Sequence, residues 1–452
     1  MRVLVVGGGG REHALVWSLS KSPLVADLMC APGNPGIAEL ARCRPVVVND
    51  LPGLVTMAAR EFVDLVVIGP EAPLVAGLAD ALRAAGIRVF GPGAAGARLE
   101  GSKGWAKSLM AAAGIPTATS QSFERADEAI AYARRLIAEG TGAVVKADGL
   151  AAGKGVTVCD DDAQAAAAIT DALERGVFGA AGSRVLVEER LEGEELSVLA
   201  FSDGKTVLAM QAAQDFKRAH DGDLGPNTGG MGSHSPVPSC TPDVAGKVTD
   251  QVLEPIAAAL AAEGEPYVGV IYAGMMLTPD GPKVLEFNCR FGDPETQALL
   301  PRLASDLMEP ILACTEGTLS EVRLDWRPEA CVAVVAAAAG YPGTPATGAP
   351  ISGLAGAEAV TGLPVFQAGT RPGPDGSVVT SGGRVLAVAA LGEAPWLARR
   401  RAYDGLARVS FEGMWYRSDI GPRPASRPES EPNGSPNLEP ELEQGTWTGG
   451  VA

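Results

Sequence analysis

Residues 283–297 read KVLEFNCRFGDPETQ and place charged and amide side chains on an otherwise apolar strand. Because side chains alternate across a strand, this pattern predicts two faces with different roles. One face is expected to hold Val284, Glu286, Asn288 and Arg290, and the other Leu285, Phe287, Cys289 and Phe291. The first face is predicted to line a site, and the second is predicted to join a core.

The polar face carries a carboxylate, a carboxamide and a guanidinium, about 6 to 7 Å apart along the strand. Hard cations take oxygen ligands, and an arginine grips phosphoryl oxygens through two hydrogen bonds. These side chains therefore suit Mg2+ and phosphate, and the pattern predicts phosphoryl transfer.

The rest of the chain reads as an α/β and α+β multidomain protein. Residues 1–101 alternate continuous apolar strands, such as RVLVV at 2–6 and LVVIG at 65–69, with helical stretches. This alternation predicts a doubly wound parallel sheet. Strands and helices mix from 102 to 325, and short strands at 326–421 predict a small β-rich domain. The tail, 422–452, is rich in Pro, Ser, Glu and Gly and is predicted to be disordered.

Composition excludes several classes of protein. No stretch is apolar enough to span a membrane, and no signal peptide precedes the first strand, so a cytoplasmic location is expected. The net charge of -17 disfavours nucleic acid as a partner. The seven cysteines form no CxxC pair, which favours free thiols over disulfides or zinc.

Four glycines at 7–10 follow the first strand and offer backbone N–H groups to an anion. A dinucleotide fingerprint fails, because Glu12 and His13 stand where GxGxxG needs its last glycine. Two interpretations remain open. Either Gly9, Gly10 and Arg11 bind the phosphate of a smaller substrate, or the segment is a plain strand-to-helix turn.

Later segments carry further candidates, each with a plainer alternative. Asn34 and Glu71 follow strands of the same sheet and could hold sugar hydroxyls, or simply form turns. VVKADGLAAGKGV at 144–156 is a glycine-rich loop between strands, either a phosphate lid or a surface hairpin. VLVEERLEGEELSV at 185–198 could read an adenine edge or be an acidic turn. The segment 214–232, QDFKRAHDGDLGPNTGGMG, is typical of a binding loop or a disordered one.

Together these segments resemble the phosphoribosylamine-glycine ligases, or glycinamide ribonucleotide synthetases, of the ATP-grasp superfamily. The matching motifs are GGGGREHAL, GPEAPLVAGLAD, SKGWAK, VVKADGLAAGKGV, VEERLEGEE, QDFKR, GPNTGGMG, EFNCRFGDPETQ, SGGRVLAV and YRSDIG. The resemblance implies an N-terminal domain at 1–101 and an ATP-grasp domain at 102–325 with a lid at about 115–192. It further implies a C-terminal domain at 326–421, and it does not extend to the tail.

The implied reaction joins glycine to 5-phosphoribosylamine through a glycyl phosphate, consuming ATP with Mg2+ or Mn2+. The implied catalytic residues are Arg290, Lys146 and Asp215. The implied nucleotide contacts are Lys103, Lys146, Gly149, Gly153, Gly155, Glu188, Leu191 and Glu195, with Glu286 and Asn288 on the metal. The implied substrate contacts are Gly9, Gly10, Arg11, Asn34, Glu71, Asp215, Lys217 and Asp293. A monomer or weak oligomer is expected.

The sequence departs from the family at two positions. Phe216 and Gln367 stand where histidine is common, which puts fine substrate contacts in doubt. Three alternatives remain beside the resemblance: another ATP-grasp carboxylate ligase, a catalytically silent nucleotide-binding protein, and a nicotinamide-dependent oxidoreductase. The retained Glu286, Asn288, Arg290 and Lys146 disfavour the second, and the failed glycine fingerprint disfavours the third.

Overall fold

The computed structural model describes residues 1–151, 154–264 and 266–422. Its N-terminal strands are β1 (Arg2–Gly7), β2 (Asp27–Pro32), β3 (Arg42–Cys43), β4 (Leu65–Ile68) and β5 (Arg88–Phe90). The helices between and after them are α1 (Gly10–Leu19), α2 (Pro35–Ala38), α3 (Leu51–Arg60), α4 (Glu71–Val75), α5 (Leu78–Ala84) and α6 (Ala94–Gly101). All strand pairs are parallel in the order β3-β2-β1-β4-β5, which confirms the predicted doubly wound sheet.

The strand order of this sheet reverses at β1, which lies between β2 and β4. In open α/β sheets, the carboxyl ends of the strands at such a reversal form a crevice. Arg11 follows β1, and Glu71 follows β4. The sheet therefore brings these two charged residues to one edge.

A second, antiparallel sheet has its own small core. This region contains α7 (Lys103–Ala112), β6 (Ser120–Phe123), α8 (Ala126–Ala138), β7 (Ala143–Ala147), β8 (Val156–Cys159), α9 (Asp162–Leu173) and β9 (Val185–Glu189). The strands lie in the order β6-β9-β7-β8 and are called the lid sheet below. Apolar side chains of α8 and α9 pack with it, in a cluster separate from the main core. β7 and β8 pair as antiparallel strands, and the described residues Gly149 and Gly155 lie between them in the chain.

The central sheet carries the motif at 283–297. The elements of this part are β10 (Glu194–Asp203), β11 (Val207–Ala209), β12 (Gln214–Asp215), β13 (Arg218–His220), β14 (Leu224–Asn227), β15 (Gly232–Ser235), α10 (Pro242–Val248), α11 (Glu254–Ala262), β16 (Val268–Thr278) and β17 (Gly281–Asn288). The central sheet has the order β11-β10-β16-β17, and β13 pairs with β14 as a separate hairpin. The segment 214–232 thus forms defined strands.

The last part forms a mixed layer of short strands and helices. Its elements are α12 (Glu295–Leu299), α13 (Met308–Glu316), β18 (Ala330–Ala337), α14 (Leu354–Thr361), β19 (Phe366–Gln367), β20 (Thr370–Pro372), β21 (Val378–Thr380), β22 (Arg384–Gly392) and α15 (Pro395–Leu406). The C-terminal sheet has the order β12-β15-β18-β22-β19, so two of its strands come from residues 214–235. From residue 423 onward the predicted tail lies outside the described residues. None of the described helices is long and apolar enough to cross a membrane.

A β-bulge in β17 changes which side chains face the core. Gly274 is paired with Glu286 and Met275 with Val284, so Leu285 is the extra residue. Val284 is fully buried in the main core, whereas Leu285 and Glu286 are both half-buried. The strict alternation predicted from the sequence is therefore wrong at Val284 and Leu285. The strand also ends at Asn288, so Arg290 lies in the bend that follows.

The position of the bulge predicts how substitutions at residues 284 and 285 change the free energy of unfolding. Leu285→Asp is expected to stay folded and to lose no more than about 1 kcal/mol, because the new carboxylate reaches water. Val284→Asp is the matched control, and burying its unpaired carboxylate is expected to cost several kcal/mol. Urea unfolding of both variants checks this. If Leu285→Asp unfolded as readily as Val284→Asp, the bulge would be in the wrong place.

Candidate active site

A cleft of about 1010 Å3 lies between the lid sheet, the central sheet and the crevice edge of the N-terminal sheet. Most of the sequence-predicted residues line it. They are Arg11, Glu71, Lys103, Lys146, Gly149, Gly155, Glu188, Leu191, Glu195, Asp215, Lys217, Glu286, Asn288, Arg290 and Asp293. Gly153 lies outside the described residues. Gly9, Gly10 and Asn34 are not among the residues that line the cleft.

The glycine turn after β1 already holds an anion, which is a side chain of the same chain. Glu12 is 2% exposed, and its Oε2 accepts the backbone N–H of Gly9 at 2.7 Å. Its Oε1 accepts from Arg11 Nε at 2.6 Å. A Cβ on Gly10 would lie 2.7 Å from Gln297 Nε2, so a side chain there would collide. The position where a phosphate was expected at Gly9 is therefore taken by Glu12.

Asn34 is engaged in the same way. Its Oδ1 accepts from the backbone N–H of Ile37 at 3.0 Å and caps α2. Its Nδ2 donates to the carbonyls of Gly8 at 2.9 Å and Gln367 at 2.8 Å. The side chain is buried. Asn34 thus ties the N-terminal sheet to the C-terminal part, and it was expected instead to meet sugar hydroxyls.

Two lysines converge where the lid sheet meets β17. Lys146, on β7, donates to the carbonyl of Leu285 at 2.8 Å and pairs with Glu188 Oε2 at 2.9 Å. Lys103, at the start of α7, donates to the carbonyl of Gly149 at 3.1 Å. Each lysine has a neutral carbonyl partner that a phosphoryl oxygen can replace. The pair is therefore suited to a polyphosphate.

Sequence reasoning missed Lys107. Its Nζ lies 3.3 Å from Glu188 Oε1 and donates to Thr117 Oγ1 at 2.7 Å. Burial lowers the pKa of Lys107 to about 8, although Glu188 opposes the shift. The motif SKGWAK could have indicated this lysine, because residues 103 and 107 are four apart and therefore share one face of a helix. Glu188 thus pairs with two lysines through its side chain.

Glu286 and Asn288 give oxygen donors at the end of β17. Burial alone would raise the pKa of Glu286, but Lys217, Lys146, Lys103 and Arg290 hold it below its usual value. Lys217 Nζ lies 3.8 Å from Glu286 Oε1 and 2.9 Å from Glu195 Oε2. The site thus offers an ionised carboxylate beside a carboxamide oxygen.

These donors fit a hard divalent cation that also takes phosphate oxygens. Within the described ranges, no group of three or more His, Cys, Asp and Glu side chains is arranged to hold a metal. Two protein ligands leave most coordination positions to phosphate and water, which is the usual arrangement for Mg2+ beside a nucleotide.

Arg290 is held between two carboxylates. Its Nε lies 3.2 Å from Glu71 Oε2, and its Nη2 lies 2.9 Å from Glu100 Oε1. Burial would raise the pKa of Glu71, but Arg290 and Arg11 hold it below its usual value. Burial raises the pKa of Glu100, although Arg290 opposes this. Glu100 also accepts the backbone N–H of Cys289 at 2.9 Å, so it fixes the bend in which Arg290 lies.

The far wall of the cleft combines acids with an arginine from the C-terminal sheet. Arg384, on β22, donates to Asp293 Oδ2 at 2.8 Å. Burial would raise the pKa of Asp293, but Arg384 and Arg11 hold it below its usual value. Asp215 and Glu295 line the same wall. Arg384 lies in the motif SGGRVLAV, and its role was missed because nothing local marks it.

Of the two positions where this sequence differs from the family pattern, one lines the cleft and the other does not. Phe216 lines the cleft and packs under Arg417, whose guanidinium carbon is 5.1 Å from the ring centroid. Gln367 is buried away from the cleft, and its Oε1 accepts from Thr370 Oγ1 at 3.0 Å. Phe216 is thus the departure that can alter substrate contacts.

Three family models match most of the chain. The phosphoribosylglycinamide synthetase N domain matches residues 1–100, the ATP-grasp (A) domain of the same family matches 101–296, and its C domain matches 331–423. A relative from Brucella melitensis, named phosphoribosylamine–glycine ligase, is 49% identical over 94% of this chain and 98% of its own length. One of the same name from Nostoc sp. is 51% identical over 94% and 99%.

Solved structures agree on the fold. A crystal structure of phosphoribosylamine–glycine ligase from Thermotoga maritima has a TM-score of 0.79 at 33% identity, covering 93% of this chain and all of that one. A biotin carboxylase from Campylobacter jejuni, 13% identical, has a TM-score of 0.67 over 91% and 92% of the two chains and shares the fold alone. The chain belongs to the phosphoribosylglycinamide synthetase family of ATP-grasp enzymes.

Proposed function

We propose that the chain ligates glycine to 5-phosphoribosylamine, converting ATP to ADP and phosphate and giving glycinamide ribonucleotide for purine (IMP) synthesis. The carrying observation is the cleft in which Lys146, Glu286 and Arg290 converge from the lid sheet and the central sheet. The relatives at about half identity carry the name of this ligase along their full length. Enzymes of the ATP-grasp class use ATP and a divalent metal.

In the first step, the carboxylate of glycine attacks the γ-phosphorus of ATP, the bond from that phosphorus to the bridging oxygen breaks, and glycyl phosphate and ADP are formed. Lys103 and Lys146 neutralise phosphate oxygens, and Arg290 stabilises the transferring group. Glu286 and Asn288 would hold Mg2+ or Mn2+, which supplies further charge neutralisation when bound. No protein nucleophile is required, because such transfer depends on positioning and charge.

In the second step, the amine of phosphoribosylamine attacks the acyl carbon and displaces phosphate. Glycyl phosphate hydrolyses readily, so water must be excluded from the cleft. The glycine-rich segment from Gly149 to Gly155 is proposed to close over the phosphates.

Substrates are assigned to the remaining walls. Adenine would lie along the backbone from Glu188 to Leu191, with Glu195 near the ribose. The proposed contacts of phosphoribosylamine and glycine are Arg11, Glu71, Asp215, Lys217 and Asp293. We propose that three further residues support this wall without touching substrate. Gly9 binds Glu12, Gly10 packs against Gln297, and Asn34 caps α2.

The proposal extends to organisation and location. It divides the chain into 1–101, 102–325 with a lid at about 115–192, 326–421 and a tail at 422–452 without catalytic role. It places the enzyme in the cytoplasm as a monomer or weak oligomer. The net charge of -17 disfavours nucleic acid as a partner and is compatible with a local basic pocket for one small anion.

The test is release of ADP with ATP, Mg2+, glycine and freshly generated phosphoribosylamine, omitting each in turn. Release that requires all four, with glycinamide ribonucleotide identified by mass, is the expected result. Release with a different amine in place of phosphoribosylamine would indicate another ATP-grasp ligase. No release under any condition would indicate a silent nucleotide-binding protein.

Deleting residues 423–452 is expected to change turnover by less than about twofold, since this stretch is rich in Pro, Ser, Glu and Gly and the match to the C domain ends at residue 423. Steady-state ADP release by the truncated and full-length proteins, at equal concentration, checks this. A tenfold or larger loss would give the tail a part in the reaction.

A further inference from the structure

Glu295 is a buried carboxylate on the cleft wall that the mechanism above does not use. It begins α12 and is 2% exposed. Its Oε1 accepts from Ser197 Oγ at 3.2 Å and from the hydroxyl of Tyr272. These donors come from β10 and β16 of the central sheet, so the carboxylate is fixed from two strands.

Asp215 lies on the same wall, at the end of β12. Its Oδ1 is buried and has no hydrogen-bond partner among the described residues. Gly230, at φ +106°, covers this atom, and a Cβ there would lie 2.6 Å from it. A buried carboxylate oxygen without a donor is costly, so its presence here calls for a functional reason.

The charges around Asp215 are of both signs. Burial and then the charge of Glu295 raise the pKa of Asp215 well above its usual value, and Glu195 adds to this. Lys217 and Arg384 oppose the shift. A carboxylate with a raised pKa is a stronger base than an ordinary one and is better matched to proton transfer near neutral pH.

We propose that Asp215 accepts the proton released by the attacking amine in the second step, and that Glu295, held by Ser197 and Tyr272, is its positioning residue. This rests on the function proposed above. The amine nitrogen forms the bond to the acyl carbon, the bond from that carbon to the phosphate oxygen breaks, and the electron pair leaves with phosphate. One N–H proton passes to Asp215 and then to the departing phosphate.

Replacing phosphoribosylamine by a second nucleophile distinguishes a role of Asp215 in the second step from a role in forming glycyl phosphate. Hydroxylamine is neutral at pH 7 and attacks acyl phosphates without a protein base, giving glycine hydroxamate. Asp215→Asn is expected to lower ADP release with phosphoribosylamine by about 100-fold or more. With glycine and hydroxylamine, the same variant is expected to stay within a few-fold of the unmodified protein. Glu192→Gln, on an exposed rim glutamate, is the matched control and is expected to change neither rate.

Glu295→Gln gives an independent readout in the pH profile. Because a neutral amide no longer raises the pKa of Asp215, the acidic limb of kcat/KM for phosphoribosylamine is expected to move to lower pH. Glu192→Gln, which removes a carboxylate from the exposed rim instead, is expected to leave the limb in place. A merely structural role for Glu295 would lower the rate at all pH values without moving the limb.

Two results would overturn the proposal. One is an equal loss with both nucleophiles in Asp215→Asn, which would place the residue in the first step. The other is an unmoved acidic limb in Glu295→Gln, which also decides the matter if Asp215→Asn does not fold. If the unmodified protein releases no ADP with glycine and either nucleophile, it is the proposed function that fails.

Discussion

Glu286→Gln is expected to lower ligase turnover by at least about 100-fold while leaving the fold intact. The amide keeps the size of the side chain, and the position faces the cleft, with the side chain 31% exposed. What is lost is the negative charge that a divalent cation needs as a ligand. Asn288 alone is a neutral donor and cannot replace it.

The same substitution has a second, opposite effect on the nucleotide. Lys217, Lys146, Lys103 and Arg290 surround Glu286 and hold its pKa down. Without its charge, these cations are left with less counter-charge and attract phosphate more strongly. Metal-free ATP is therefore expected to bind the variant more tightly, while the Mg2+ concentration for half-maximal turnover rises.

Calorimetric binding of ATP with and without Mg2+, together with a Mg2+ titration of ADP release, measures both effects. Glu192→Gln again serves as the control, since it removes the same charge from the rim of the cleft. Unchanged turnover and unchanged Mg2+ dependence in Glu286→Gln would remove this residue from the metal site.

Strands that are continuous apolar runs can be predicted from the sequence of this protein, whereas very short strands that pair with distant parts of the chain cannot. The apolar runs of β1 and β4 indicate a parallel sheet without further information. The C-terminal sheet is different, because β12 has two residues, β15 has four, and the partner β18 lies about a hundred residues later. Such short strands are defined by tertiary contacts, which no local pattern encodes.

The residues of the candidate site also differ in whether a local sequence pattern reveals them. Lys146, Glu286 and Arg290, which all line the cleft, could be singled out because each lies in a motif whose chemistry is visible in a few residues. Glu100 could not, because it reaches Arg290 across 190 positions and lies in an unremarkable helix end. The bulge at Leu285 could not be predicted either, because the alternation of side chains along a strand assumes that every residue pairs in register with the neighbouring strand.

Arg290→Met is expected to damage both stability and catalysis. Removing the guanidinium leaves Glu100 without its partner in a partly buried site, and leaves Glu71 with only the more distant Arg11, 3.9 Å away. Breaking a buried pair by removing one partner typically costs about 3–5 kcal/mol. Loss of the positive charge at the transferring phosphoryl group is expected to lower turnover by about 1000-fold.

The two effects separate in a double variant. Glu100→Gln removes one of the repelling carboxylates and keeps a side chain that can still accept the N–H of Cys289. Arg290→Met/Glu100→Gln is therefore expected to recover much of the free energy of unfolding but none of the turnover. Urea unfolding and ADP release on the two variants measure the separation. If turnover returned together with stability, Arg290 would serve only to hold the bend after β17, and the positive charge on the phosphoryl group would have to come from Lys103 and Lys146.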